Sequence, residues 1–284
     1  MRVTILTNFI APYRIPQFTA FNKQVEKLEI LISTGMEKGR PWPVEWHGLP
    51  VRLQRSLSRE NVTVHPNGFE EKSEVHLPYD TLYRLARFRP DVMISGELGF
   101  RTLLAVIYRK FTRRTRLIVW ATVSEASERG RSGGVRGRLR RYLLASADRI
   151  IVNGESGRRY VRAFGARNDK IDVIPYCMNL KAPEQIRART PDETYRLLCV
   201  GNLGDRKGVL QSLPALCAAA RSLPERNIEM WIAGDGPQKA AIEAFPLPSN
   251  LTLRLLGHTH YDELPGVYEQ CGILFFPVLA DEWG

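Results

Sequence analysis

The chain has 284 residues, 44% apolar and 25% charged, the balance of a soluble globular protein long enough for two cores. Its formal net charge of +11 and pI of about 9.7 point to a polyanionic partner: nucleic acid, an anionic membrane surface or a phosphorylated substrate. No run approaches the ~20 apolar residues of a membrane span, the first residues lack a signal-peptide layout, and Cys177, Cys199, Cys217 and Cys271 form no C-x-x-C pair or metal-ligand spacing. A transmembrane protein, a disulfide scaffold and a zinc module are therefore excluded, and reduced, partly buried thiols in the cytoplasm are expected.

Short β-branched runs alternate with helical segments, the pattern of βαβ units and a parallel sheet. Strands are predicted at Val3–Thr7 and Leu28–Ser33, flanking a helix at Arg14–Lys23. From Met36 to about Pro78 the pattern dissolves into Pro, Gly, Trp and charge, which predicts either a functional loop or a hairpin excursion. Helix Asp80–Phe88, capped by Asp80, is followed by strand Asp91–Ser95, helix Thr102–Phe111, strand Leu117–Ala121 and helix Val135–Ser146. Strand Arg149–Val152, helix Ser156–Phe164 with Ser156 as its cap, and strand Ile171–Ile174 complete the first half. A linker over 177–194 separates a first domain, 1–176, from a second, 195–284. The second repeats the alternation: strand Arg196–Val200, helix Val209–Ser222, strand Ile228–Ala233, helix Gln238–Ala244, strand Leu251–Leu256, helix Tyr261–Gln270 and strand Ile273–Phe276. Two parallel-sheet domains of this kind place ligands in a cleft. The abrupt stop at Asp281-Glu-Trp-Gly284, with no helix after the last strand, predicts a second domain incomplete at its C-terminus and a truncated chain.

The positive excess concentrates in Tyr108–Arg116 and Arg129–Arg141. It suits either a solvated helix face or an anionic surface. No zinc-finger spacing, RRM aromatic signature or helix-turn-helix accompanies it, which weighs against nucleic acid.

The sharpest local signal lies where the run Tyr195-Arg-Leu-Leu-Cys-Val-Gly201 breaks into Asn202-Leu-Gly-Asp-Arg-Lys-Gly208. A strand, a glycine, a short cationic loop and a glycine opening a helix make a phosphate grip: free N–H groups and the helix dipole attract an anion, and Arg206 and Lys207 add full charges. A surface loop with two solvated cations would read the same way.

Together these residues resemble the retaining GT-B glycosyltransferases, specifically glycosyltransferase family 4. Val200-Gly-Asn-Leu-Gly-Asp-Arg-Lys-Gly208 is similar to that family's V-G-R-L-x-x-x-K-G, and Trp231-Ile-Ala-Gly-Asp-Gly-Pro237 to its strand followed by G-D-G-P. Leu255-Leu-Gly257 with Asp262-Glu-Leu-Pro-Gly-Val-Tyr268 is similar to F-L-G…E-E-L-P-x-L-Y, and Phe275-Phe-Pro277 with Asp281-Glu-Trp-Gly284 to the entry of the E-x7-E motif. Looser likenesses run through Thr7–Arg14, Ala147–Ser156 and Lys170–Pro175.

The resemblance implies a GT-B-like α/β fold of two Rossmann-like domains facing a cleft, with a sugar moved from a nucleotide-sugar donor to a glycan or lipid-linked acceptor. It assigns the donor diphosphate to Lys207, with close backbone approach at Gly201 and Gly208 and the nucleotide turn at Gly234, Asp235 and Gly236. The family's second basic residue falls on Asn202, which carries no charge; Arg206 is its candidate replacement. Asp281 and Glu282 fall near the first Glu of the E-x7-E motif, whose second Glu lies past residue 284. The family's histidine in the first domain has no counterpart at Ile94–Glu97 or Val119–Glu125, which leaves Glu97 and Glu125 as acceptor-side polar groups or as caps. Tyr13 and Arg14 sit at the first strand-to-helix junction, where Arg14 would meet a phosphate or Tyr13 would pack inward. His258 and His260 follow a predicted strand end. No D-x-D motif and no metal spacing is present, so no metal or other cofactor is expected beyond the nucleotide-sugar co-substrate. Peripheral contact with the inner, anionic membrane face would use the 109–141 arginines. The alternatives are an inactive remnant of such an enzyme and a polyanion-binding α/β protein.

Overall fold

The computed structural model describes residues 1–37, 44–65, 67–112, 114–125, 128, 133–176, 190, 195–260 and 262–280. They divide into two compact units, the first comprising 1–63 and 72–179 and the second 64–71 and 180–281, with the last three residues grouped with the first.

Unit 1 is built on a seven-stranded sheet in the order β3-β2-β1-β6-β7-β8-β9. Its strands are β1 (Arg2–Thr7), β2 (Lys27–Ile32), β3 (Val51–Leu53), β6 (Val92–Gly96), β7 (Arg116–Ala121), β8 (Arg149–Val152) and β9 (Ile171–Val173). All neighbouring pairs are parallel, with Ile5 opposite Ile30 and Ile94 in the central register. Val3, Leu6, Ile30 and Leu31 are fully buried, as expected of strands covered on both faces. Helices α1 (Ile15–Asn22), α2 (Thr81–Phe88), α3 (Phe100–Thr112), α4 (Gly134–Ser146) and α5 (Glu155–Ala163) make the crossovers. A short 3-10 turn at Pro12–Arg14 precedes α1, so this helix starts one residue later than its apolar pattern suggested.

The featureless 36–78 stretch resolves largely into strands. Val51–Leu53 adds an edge to the sheet, and β4 (Ser56–Val64) with β5 (Glu70–Pro78) form a two-stranded sheet of their own: a hairpin excursion. Two predicted caps do not form. Asp80 occupies the N-cap position of α2 but makes no capping bond, because Arg84 Nε holds its carboxylate at 2.8 Å. Ser156 lies inside the first turn of α5, whose N-cap is Gly154, and its hydroxyl accepts from the Glu125 N–H instead.

Unit 2 carries a four-stranded sheet in the order β12-β11-β10-β13. Its strands β10 (Arg196–Val200), β11 (Ile228–Ala233), β12 (Leu251–Gly257) and β13 (Ile273–Leu274) pair in parallel. Helices α6 (Val209–Arg221), α7 (Lys239–Glu243) and α8 (Leu264–Glu269) complete it, α8 being shorter than its Tyr261–Gln270 pattern. Leu213, Ala220, Met230 and Ile232 form the centre of its core. Cys199, Cys217 and Cys271 are buried free thiols; Cys177 and the 177–194 linker, apart from Thr190, lie outside the described residues.

Candidate functional site

In each unit the order of the strands reverses once, between β1 and β6 and between β10 and β13. Parallel α/β sheets bind ligands outside the carboxyl ends of their strands at such reversals. Both reversals hold a site.

In unit 2 the site is made of backbone. Beyond β10 the chain passes Gly201 at φ +147°, makes a 3-10 turn over Asp205–Lys207 and enters α6 through Gly208 at φ +68°. Both angles lie in the region that side chains rarely adopt. Space makes the same demand. A Cβ on Gly208 would lie 2.1 Å from the Pro277 carbonyl oxygen, and one on Gly234 would lie 1.8 Å from that of Gly201. A Cβ on Gly236 would meet three backbone atoms of Leu203, each at 2.7 Å. Hydrogen bonds tie the loops where they touch: Gly201 N to Ala233 O at 3.0 Å, Leu203 N to Asp235 O at 2.9 Å and Leu279 N to Arg206 O at 3.0 Å. Asp205 accepts from Gln211 Nε2 at 2.9 Å and Gln238 Nε2 at 2.5 Å, joining the loop to α6 and to the turn that follows β11.

The result is a fixed rim around the N-terminus of a 13-residue helix that no side chain caps. Lys207 turns back over Gly201, its Cε 3.4 Å from where a Cβ would sit, and its ammonium lies 5.5 Å from the Phe276 ring. Lys207, Gly201, Gly208, Gly234 and Gly236 are thus brought together at one strand reversal. Asn202 is exposed beside them, and Asp235 spends a carboxylate oxygen on Gly236 N at 2.8 Å. Arg206 gives its carbonyl to the 277–279 segment. Asp281 and Glu282 lie outside the described residues. His258 is exposed, and His260 stands near acids of its own loop, with Nδ1 3.7 Å from Asp262. Among the described residues no cluster of ligating side chains could hold a metal.

In unit 1 the site is made of side chains. A cavity of about 240 Å³ lies at the ends of β1, β6 and β7, lined by Thr7, Tyr13, Arg14, Glu97, Trp120 and Tyr176 among others. Arg14 lies over two rings that also touch each other: its guanidinium carbon is 4.4 Å from the centroids of both Trp120 and Tyr176, which are themselves 6.5 Å apart and tilted by 36°. Contact with two ring faces attracts the cation and holds it in place. Glu97 sits at φ +69°, a left-handed conformation that strains any residue with a Cβ; its N–H is held by Trp120 O at 2.9 Å. Arg101, 5% exposed, donates to Asn8, Ser33 and Gly96 behind the cavity wall. Burial pulls its pKa below the usual arginine range, against the charge of Glu97.

Tyr13, Arg14 and Glu97 therefore share one cavity. Glu125 does not line it: it pairs with Arg159 at 2.8 Å and with the Ser156 hydroxyl. Trp120, Tyr176 and Arg101 were not singled out from the sequence. Trp120 lies in the Val119–Glu125 stretch searched for a histidine, and Tyr176 at the start of the predicted linker carries no local signal. The arginine-rich stretch is partly consumed internally. Arg109 pairs with Asp148, and Arg140, 3% exposed, pairs with Glu128 at 2.7 Å.

Residues 28–177 match the family described as glycosyl transferase 4-like domain, and residues 194–284 match glycosyl transferases group 1. A 2-deoxystreptamine glucosyltransferase of Streptomyces kanamyceticus is 28% identical over 163 residues, which cover 51% of this chain and 41% of that protein. Among solved structures, Anabaena HepE in complex with UDP superposes with a TM-score of 0.65 at 14% identity, covering 99% of this chain and 75% of that one. Sucrose-phosphate synthase from Thermosynechococcus elongatus superposes at 0.62 with 15% identity, covering 100% and 77%. The structural likeness shows a GT-B fold of two Rossmann-like halves. With more than half of its residues matched, the chain belongs to the glycosyl transferase 4-like domain family.

Proposed function

We propose that the chain transfers a hexosyl-type sugar from a nucleotide-sugar donor to a glycan or lipid-linked acceptor, with retention of anomeric configuration. One observation carries this: at the β10/β13 reversal an uncapped helix N-terminus, Lys207 and three close-packed glycines form an anion cradle. A diphosphate accepts the α6 N–H groups, and Lys207 steadies the charge that grows on it as the sugar departs, a preorganised electrostatic task. The relatives support the donor class, since HepE was solved with UDP and the Streptomyces protein is named a glucosyltransferase. Retention rests on the family resemblance. In unit 1 the cavity with Glu97, Tyr13 and the stacked Arg14 is the acceptor subsite; its 240 Å³ suits one sugar ring rather than a chain. Calorimetric titration with UDP-, ADP-, GDP- and dTDP-sugars tests the donor assignment. At least one should bind, with Lys207→Ala weakening it; binding of none overturns it.

Peripheral membrane contact is the finer part of the proposal. Phe111 and Val135 are 84% and 79% exposed on α3 and α4, beside the cations of those helices. Exposed apolar groups among lysines and arginines favour an anionic interface. Vesicles containing anionic lipid should retain the chain, and added salt should release it. No helix among the described residues is long and apolar enough to cross a membrane.

A further inference from the structure

The amino ends of the unit 1 strands carry a second concavity that the transfer reaction does not use. A groove of about 1140 Å³ runs between the starts of β1, β2 and β3 and helix α2. It is separate from the acceptor cavity. Strand β1 begins in the groove at Arg2 and reaches the cavity at Ile5, about 10 Å further on at about 3.3 Å per residue, and no residue lines both.

Its charges do not cancel. Six cations line it against two carboxylates, Glu29 and Asp80. Both acids are already engaged, Glu29 by Arg52 at 3.1 Å and Asp80 by Arg84 at 2.8 Å. Arg2 is held over the Phe88 ring and donates to the Phe88 carbonyl. Lys27, Arg55 and Arg87 are exposed and have no carboxylate partner among the described residues. Three such cations around one concavity reinforce one another's field over the ~8 Å screening length of physiological salt.

One further feature describes the ligand's body. Tyr79 and Tyr83 line the groove with 59% and 65% of their surface exposed, an open aromatic flank for the C–H face of a ring. Glu29 is 8% exposed, and its Oε2 is buried without a hydrogen-bond partner. Burial raises the Glu29 pKa, with Arg52 opposing, which lowers its repulsion of an anion.

We propose that this groove binds a phosphorylated sugar or polyol with at least two anionic charges, at a site distinct from donor and acceptor. Phosphates meet Lys27, Arg55 and Arg87, and the ring lies along the tyrosines. The proposal stands independently of the transfer reaction.

Calorimetric titration with fructose 1,6-bisphosphate tests it, using the chain, an Arg55→Glu/Arg87→Glu variant and a Lys207→Ala variant. The expected result is one saturable site that the double substitution weakens at least 30-fold and Lys207→Ala leaves unchanged. Both arginines are exposed, so the fold should survive; Arg55→Gln/Arg87→Gln, with an unchanged melting temperature, provides a milder second variant. Tyr83→Trp adds a fluorescence change on binding as an independent readout. No saturable binding, binding indifferent to both arginine variants, or binding abolished by Lys207→Ala overturns the proposal.

Discussion

The two strand reversals solve the same problem with different materials. In unit 2 the cradle is made of main chain, and three glycines allow loops to approach until backbone meets backbone. In unit 1 the cavity is made of side chains, with Arg14 held over Trp120 and Tyr176 and Glu97 in a strained turn. A main-chain site suits a ligand group that never varies, such as a diphosphate. A side-chain site can be re-cut residue by residue, which suits a variable acceptor.

If this contrast is correct, a methyl group should be ruinous in unit 2. Gly234→Ala would place Cβ 1.8 Å from the Gly201 carbonyl oxygen. No side chain is available to swing away, so the loops must separate, at more than about 3 kcal/mol, the upper end for overpacking. Urea unfolding of the variant should lose the transition of unit 2, while Gly99→Ala, with open space at its Cβ, leaves stability nearly unchanged. Equal tolerance of both would break the comparison. Lys207→Ala separates charge from architecture in the same loop. Transfer should fall by about 100- to 1000-fold, as when a preorganised donor to developing charge is removed. The melting temperature should move little, because the backbone bonds of the loop do not involve the ammonium.

What was legible beforehand follows the same division. Gly201, Gly208, Gly234 and Gly236 were readable because backbone geometry constrains residue type at the position itself: a positive φ or a missing Cβ leaves glycine in the chain. The strands were readable because Val3–Thr7 and Ile228–Ala233 are short, largely apolar runs. The unit 1 cavity was less legible. Arg14, Trp120 and Tyr176 are more than fifty residues apart in successive steps, and contact of a cation with two rings leaves no periodic trace. The Ser156 and Asp80 caps failed because other partners claimed the side chains that capping would have used: Glu125, distant in sequence, for Ser156, and Arg84, one turn along the same helix, for Asp80. Arg109 and Arg140 likewise left the basic surface for Asp148 and Glu128.

A pH titration probes the strand that leads into the cradle. Cys199 on β10 is 4% exposed, and burial pushes its thiol up to about 11, Lys207 opposing. A folded pKa above the unfolded value means that the folded state keeps its proton while the unfolded chain loses it. Stability is then intact below about pH 9 and falls as pH rises toward 11, by about 2–3 kcal/mol at 1.36 kcal/mol per unit. Cys199→Ala should flatten that alkaline slope in urea-unfolding measurements; an unchanged slope would assign it elsewhere. In unit 1, Arg14→Ala removes a cation stacked on two rings, an interaction of about 1–2 kcal/mol where desolvated. The acceptor KM should rise about tenfold while donor affinity holds. A matching loss of donor affinity would end the division of labour between the units.

The smallest effect isolates strain from chemistry at Glu97. Comparing the residue with a single substitution would confound two changes, because removing the carboxylate also removes the countercharge nearest Arg101. Glu97→Ala and Glu97→Gly both remove that charge, yet only alanine retains a Cβ at φ +69°. The glycine variant should therefore be the more stable by about 1 kcal/mol, the usual preference of a left-handed position for glycine. Both should be equally poor in acceptor turnover if the carboxylate contacts the acceptor. Glycine that is no more stable than alanine would mean that the turn is unstrained. Turnover that returns with glycine would mean that the geometry of the turn, and not its carboxylate, forms the acceptor subsite.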